Sequence, residues 1–146
     1  MGMIAHILAT KGTQVHTIGP NDTVYDAVKK MVDLNSGSLL VTDGDEIRGI
    51  ITERDYLRKI ALAGRTSKTT QVREIMTTQL VVVQPTTTLE EAMAVMTAKR
   101  IRHLPVVDRG KLGGVVSIGD LVKQISQDRE VEVRYLTDYI TGKYPG

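Results

Sequence analysis

Two segments of this chain carry residue types in an order suited to binding chemistry. They are Gly49-Ile50-Ile51-Thr52-Glu53-Arg54-Asp55 and Gly114-Val115-Val116-Ser117-Ile118-Gly119-Asp120. Each runs from a glycine through two apolar residues to a hydroxyl, then past two variable residues to an aspartate. The apolar pair predicts the end of a strand, and the residues after the hydroxyl predict the start of a helix. Such a junction turns free backbone N–H groups and the positive end of the helix dipole outward, which suits an anion. The hydroxyl can donate to a phosphate oxygen. The aspartate one turn on can accept both hydroxyls of a ribose, as carboxylates do in other nucleotide sites. The glycine lets another backbone or a ring come close. The same hydroxyl-x-x-Asp spacing is also a helix-capping signature. Asp is a weaker partner there than Glu, which this chain uses in Thr88-Leu89-Glu90-Glu91. Capping and ligand binding both stay open on local grounds.

The elements that must position these segments occur twice. Pro20 maps onto Pro85 at an offset of 65 (85 − 20 = 65), and the same shift takes Thr23 to Thr88, Met31 to Met96, Leu39 to Leu104, Gly49 to Gly114 and Asp55 to Asp120 without a gap. A constant offset means one supersecondary unit built twice. Two copies form a pseudo-symmetric pair, an arrangement that places ligands in the seam between halves. Each repeat reads β-α-β-β-α, an α/β (α+β) pattern. In the first, strands are expected at 15–18, 38–42 and 47–52. A helix starts at Asp22 or Thr23, with Val24, Ala27, Val28 and Met31 on one face, and a second runs through Leu62 to a stop at Gly64. In the second, strands are expected at 80–83, 104–107 and 112–116, with helices at 88–99 and 118–125. Asp43-Gly44-Asp45 and Asp108-Arg109-Gly110 read as hairpin turns. The divisions are a lead-in helix in 1–14, the first repeat in 15–63, a linker with a second lead-in helix in 64–79, the second repeat in 80–127 and a tail in 128–146. In the tail, Val133, Leu136 and Ile140 predict a helix with one apolar stripe, covering the chain's own core or packing on another subunit.

Composition narrows the function classes. A chain of 146 residues suffices for one compact body, whereas each half alone would be marginal, so the halves are expected to fold against one another. The net charge of +2 gives no general nucleic-acid or membrane signal, and five tyrosines as the only aromatics leave little stacking surface. The absence of cysteine removes disulfides, thiolate catalysis and cysteine zinc sites, and fits a cytoplasmic protein. No apolar run approaches a membrane span, and no signal peptide is expected. The three histidines, His6, His16 and His103, show no metal-ligand spacing. No serine–histidine pairing or glycine-rich NTPase loop is present, so catalytic and metal residues are expected to be none.

The strand endings Val41-Thr42-Asp43 and Leu104-Pro105-Val106-Val107-Asp108, together with the two glycine-to-aspartate segments, resemble a tandem pair of CBS domains (a Bateman module) over about residues 15–127. The resemblance implies two pseudo-two-fold related repeats packed sheet to sheet, with up to two adenine-nucleotide sites in clefts between them. Asp55 and Asp120 would hold ribose hydroxyls, and Thr52 and Ser117 would approach the ribose or phosphates. Backbone and aliphatic groups of the opposite half would hold the adenine, placing Val83, Arg102, His103 and Pro105 with Asp55, and Ile18, Pro20, Ser38 and Leu40 with Asp120. Arg54, Arg102 and His103 would make the Asp55 site the more phosphate-seeking one. The implied ligand is AMP, ADP, ATP, NAD or NADH. The implied partners are a second copy in a homodimer and an unidentified protein target, with no nucleic acid and no membrane. The implied role is a non-enzymatic regulatory or signalling module; the alternative is a protein-interaction module with vestigial clefts.

Overall fold

A computed structural model describes residues 2–128. The predicted tail helix lies outside them. The fold is mixed α+β, with helices α1 (Ile4–Lys11), α2 (Val24–Leu34), α3 (Glu53–Tyr56), α4 (Val72–Ile75), α5 (Leu89–Lys99) and α6 (Ile118–Asp128). The strands are β1 (Thr17–Ile18), β2 (Ser38–Asp43), β3 (Glu46–Thr52), β4 (His103–Asp108) and β5 (Lys111–Ser117). None of the described helices is long and apolar enough to cross a membrane.

The chain divides into two compact units, residues 14–81 and residues 2–13 with 82–128. In the first, β1 pairs parallel with β2, and β2 pairs antiparallel with β3. Val24, Ala27 and Met31 of α2 are buried with Leu39, Val41, Ile51, Ile60, Val72 and Ile75 in one aliphatic cluster, which Val28 joins from its edge. The helical spacing of the α2 residues is what lets one face serve that cluster. In the second unit β4 pairs antiparallel with β5. Its buried apolar residues include Ile4, Ile7, Leu89, Ala92, Met96, Leu104, Val106, Val116 and Leu121.

The repeat extends to backbone irregularities. The β2–β3 register shifts after Val41, opposite Gly49, and the β4–β5 register shifts after Val106, opposite Gly114. One extra residue on the second strand of each hairpin, Arg48 or Gly113, makes a bulge there. Thr23 and Thr88 cap α2 and α5 by accepting from the N–H groups of Asp26 and Glu91 at 3.1 Å each. Asn35 and Arg100 end those helices in the left-handed conformation, at φ 51° and 55°.

Two expectations change. Residues 80–83 do not form a strand: only Val83 pairs, in a single parallel bridge to Val106. Its N–H reaches Pro105 O at 3.0 Å and its carbonyl accepts from Val107 N at 2.8 Å. Leu80, Val81 and Val82 stay partly or fully exposed, so nothing holds them in a ladder. The helix after β3 is also irregular, because residues Leu57–Ala61 widen into a π-turn closed by Leu62 N to Leu57 O at 2.9 Å.

The lead-in helices exchange repeats. α4, in the linker, belongs to the unit of the repeat before it, where Thr23 bridges Gln71 and Val24 N donates to Thr70 O at 2.8 Å. α1 belongs with the second repeat, where Met3 bridges Thr88 and Ile4 N donates to Thr87 O at 2.9 Å. Both dock at the start of the first long helix of their unit.

The lead-in segment also explains Gly49. A Cβ on Gly49 would lie 2.6 Å from the carbonyl oxygen of Thr77 and 3.1 Å from Met76 Sδ. Gly49→Ala should therefore destabilise the protein by about 1–3 kcal/mol, the usual range for overpacking. Gly113→Ala meets nothing nearer than 3.6 Å and should be close to neutral. Urea unfolding of both variants checks the pair.

Candidate functional site

β3 ends at Thr52 and α3 begins at Glu53, so Thr52 stands as N-cap with extended backbone. Asp55 N donates to Thr52 Oγ1 at 3.2 Å, and Thr52 N donates to Asp55 Oδ2 at 3.0 Å. The second junction repeats this box: Asp120 N donates to Ser117 Oγ at 3.1 Å, and Ser117 N donates to Asp120 Oδ2 at 2.8 Å. The capping role that the spacing allowed is thus realised at both sites. Each aspartate is fixed at the strand–helix turn by its own backbone.

The surroundings of the two carboxylates differ. Asp55 has a side chain only 10% exposed. Its Oδ1 accepts from Lys59 Nζ at 3.0 Å and from Thr77 Oγ1 at 3.3 Å. Asp120 is 25% exposed, and its Oδ2 also accepts from Lys11 Nζ at 2.7 Å. In both units a lysine ties the carboxylate to the lead-in helix, from opposite directions. Lys59 sits beyond α3 in the π-turn and reaches Ile75 O at the end of α4, at 2.8 Å. Lys11 ends α1 and reaches Val115 O in β5 at 2.9 Å. The repeat equivalent of Lys59 is Gln124 (59 + 65 = 124), so the second repeat draws its cation from α1 instead.

The remaining predicted residues lie in the unit of their own repeat. Ser38 is buried and pairs with Thr52, Leu40 pairs with Ile50, and Ile18 pairs with Val41. Pro20 O accepts from Arg73 N at 2.9 Å. Arg54 is exposed in α3. In the other unit His103 pairs with Ser117 and buried Pro105 with Val115, while exposed Arg102 accepts from Ile118 N at 2.9 Å through its carbonyl. Val83 stands on the far side of β4 from β5, bridged to Val106. Among the described residues no group of three or more His, Asp or Glu side chains could hold a metal.

Lys11, Lys59 and Thr77 are the contributors that local motifs do not expose. Lys59 has a signal, the i,i+4 spacing to Asp55 on one helix face. Lys11 lies 109 residues from Asp120 and has none.

A family model for the CBS domain matches residues 6–62 and again 72–127. The chain belongs to the CBS-domain family. A CBS-domain relative is CBSX3 of Arabidopsis thaliana, a mitochondrial protein 49% identical over 130 residues, a match covering 85% of this chain and 63% of that protein. The chain thus spans under two thirds of that relative's length. A solved structure of a protein with CBS domains from Burkholderia ambifaria is 51% identical and superposes with a TM-score of 0.84, covering 87% of this chain and 96% of that one. CBSX2 in complex with AMP is similar at 26% identity and a TM-score of 0.73, covering 88% of this chain and 99% of that one.

Burial raises the pKa of Asp120, but the hydrogen bond from Lys11, the N–H of Ser117 and the lysine's charge outweigh it, so the net shift is downward. A carboxylate whose folded pKa lies below its unfolded value, about 3.9, contributes stability above that value and loses it as pH falls through the folded one. Wild type should therefore be more stable than Lys11→Met at pH 6, and the gap should close below about pH 4. Glu74, lowered by the N–H of Gln71 and by Arg65, titrates in the same acid range in both proteins and cancels from the difference. Thermal melts of both from pH 3 to 6 read this directly.

Proposed function

We propose that this chain is a non-enzymatic regulatory CBS-pair module that binds an adenine nucleotide at its serine/threonine–aspartate junctions and signals through a protein partner. The observation that carries the reading is the Asp120 junction: a carboxylate fixed by Ser117, 25% exposed, with a lysine ammonium 2.7 Å away. A fixed, partly exposed acceptor for two hydroxyls suits a ribose. The AMP complex of the similar CBSX2 supports the same ligand class. AMP, ADP, ATP, NAD and NADH all carry the adenosine that this chemistry recognises. Adenine contacts are proposed at Ile18, Pro20, Ser38 and Leu40, and at Val83, Arg102, His103 and Pro105. Self-association as a homodimer belongs to the reading: Leu57 and Val122 are repeat equivalents (57 + 65 = 122), and both stand exposed, by 58% and 41%. The cytoplasm is kept as the proposed compartment, beside a relative named as mitochondrial.

One observation favours the second reading, an interaction module without ligand. Asp55 already has donors on both oxygens from its own unit. A thermal-shift panel of the adenine nucleotides with guanine controls separates the two. Ligand at a hundredfold excess over its Kd adds about 2.7 kcal/mol, a shift of about 9 °C for a chain of this size. Asp120→Asn should reduce the adenine-specific shift, and the nucleotide should be recovered unchanged by chromatography. No shift for any adenine nucleotide at millimolar concentration favours the interaction module. Asp55→Ala is a poor probe of binding: losing the hydrogen bond from Thr52 N that closes the cap should cost about 1 kcal/mol of stability before any ligand is added.

A further inference from the structure

We propose that Lys11 is a displaceable latch on Asp120, so that nucleotide binding and docking of the last turn of α1 compete for one carboxylate; this rests on the reading that Asp120 takes the ribose hydroxyls. A carboxylate that accepts two vicinal hydroxyls must present both oxygens. Oδ2 of Asp120 already accepts from Ser117 N at 2.8 Å and from Lys11 Nζ at 2.7 Å. The first donor belongs to the cap and stays. The ammonium stands on the remaining approach to that oxygen and has to leave when a hydroxyl arrives.

The latch is built to open without disturbing the core. α1 is anchored at its start, where Ile4 and Ile7 are buried and Ile4 N and Ala5 N donate to Thr87 O and Pro85 O at 2.9 Å each. Its last turn differs: Ala9, Thr10 and Lys11 are exposed. The two hydrogen bonds of Lys11, to Asp120 and to Val115 O, hold that turn to β5 and α6. With Lys11 39% exposed, water reaches the pair, and the freed ammonium stays solvated. The other unit offers a contrast. Its Asp55 is 10% exposed and also accepts from Thr77 Oγ1 at 3.3 Å.

Competition is reciprocal: whatever evicts Lys11 loosens the turn, and removing the ammonium tightens ligand binding. A partly exposed ion pair is worth about a two- to fivefold change in affinity. Titration calorimetry of AMP into the full chain tests this, together with hydrogen exchange of the α1 amides. Lys11→Met should bind AMP about two- to fivefold more tightly than wild type. Lys11→Arg, which keeps the charge, should bind like wild type, and AMP should speed exchange in the last turn of α1. Destabilisation of α1 alone would not raise affinity. Unchanged affinity in Lys11→Met overturns the latch. Weaker affinity also overturns it and makes Lys11 a phosphate contact. Failure of wild type itself to bind AMP removes the nucleotide reading, and the latch with it.

Discussion

The structure depends on a reciprocal pair of hydrogen bonds made twice: hydroxyl to backbone N–H, and carboxylate to the backbone N–H of the hydroxyl residue. At Thr52–Asp55 and at Ser117–Asp120 this box turns a buried strand into a helix within one residue. A cap of this kind contributes about 1 kcal/mol, which is small beside the aliphatic core. Its geometric consequence is larger. It fixes where the aspartate carboxylate sits relative to the strand end, in both repeats alike. A lysine meets that carboxylate in each unit and ties it to a lead-in helix or to the strand beneath one. The glycine three residues before each hydroxyl completes the arrangement. The Thr77 carbonyl passes over Gly49 closer than any side chain there would allow, and the Leu8 side chain packs over Gly114.

Much of this was legible because it is local. The offset of 65 residues predicts that whatever one half builds, the other builds again. The cap at Thr88, the hairpins, the apolar face of α2 and its start to within one residue follow from spacing alone. Residues 80–83 show where composition misleads. Four apolar residues in a row look like a buried strand, but only Val83 has a neighbour to pair with. The π-turn after Asp55 left no trace in the pattern, since the repeat aligns without a gap on either side of it.

The lead-in helices show the limit of local reasoning in another way. Residues 4–8 and 72–76 look alike, and each precedes a repeat, but each docks in the unit of the other one. No spacing rule contains that choice. It is a tertiary decision, made where Met3 bridges Thr88 and Gln71 bridges Thr23. It brings Lys11 across more than a hundred residues of sequence to Asp120. The cation beside that carboxylate was invisible for the same reason, although the hydroxyl and the aspartate it joins were the first residues to stand out.

Two junctions with one sequence pattern therefore become chemically unequal. Asp55 takes its lysine from its own helix, four residues on, and a threonine from the segment after α4 closes the other side. These donors come with the local fold and enclose the carboxylate in its own unit. Asp120 has glutamine at the corresponding helix position and takes its lysine from the exposed end of α1. That donor also reaches Val115 O in β5. The first arrangement encloses its aspartate; the second leaves the carboxylate 25% exposed beside a partly exposed lysine. Duplication supplied two matching caps, and the origin of the counter-charge makes their surroundings differ.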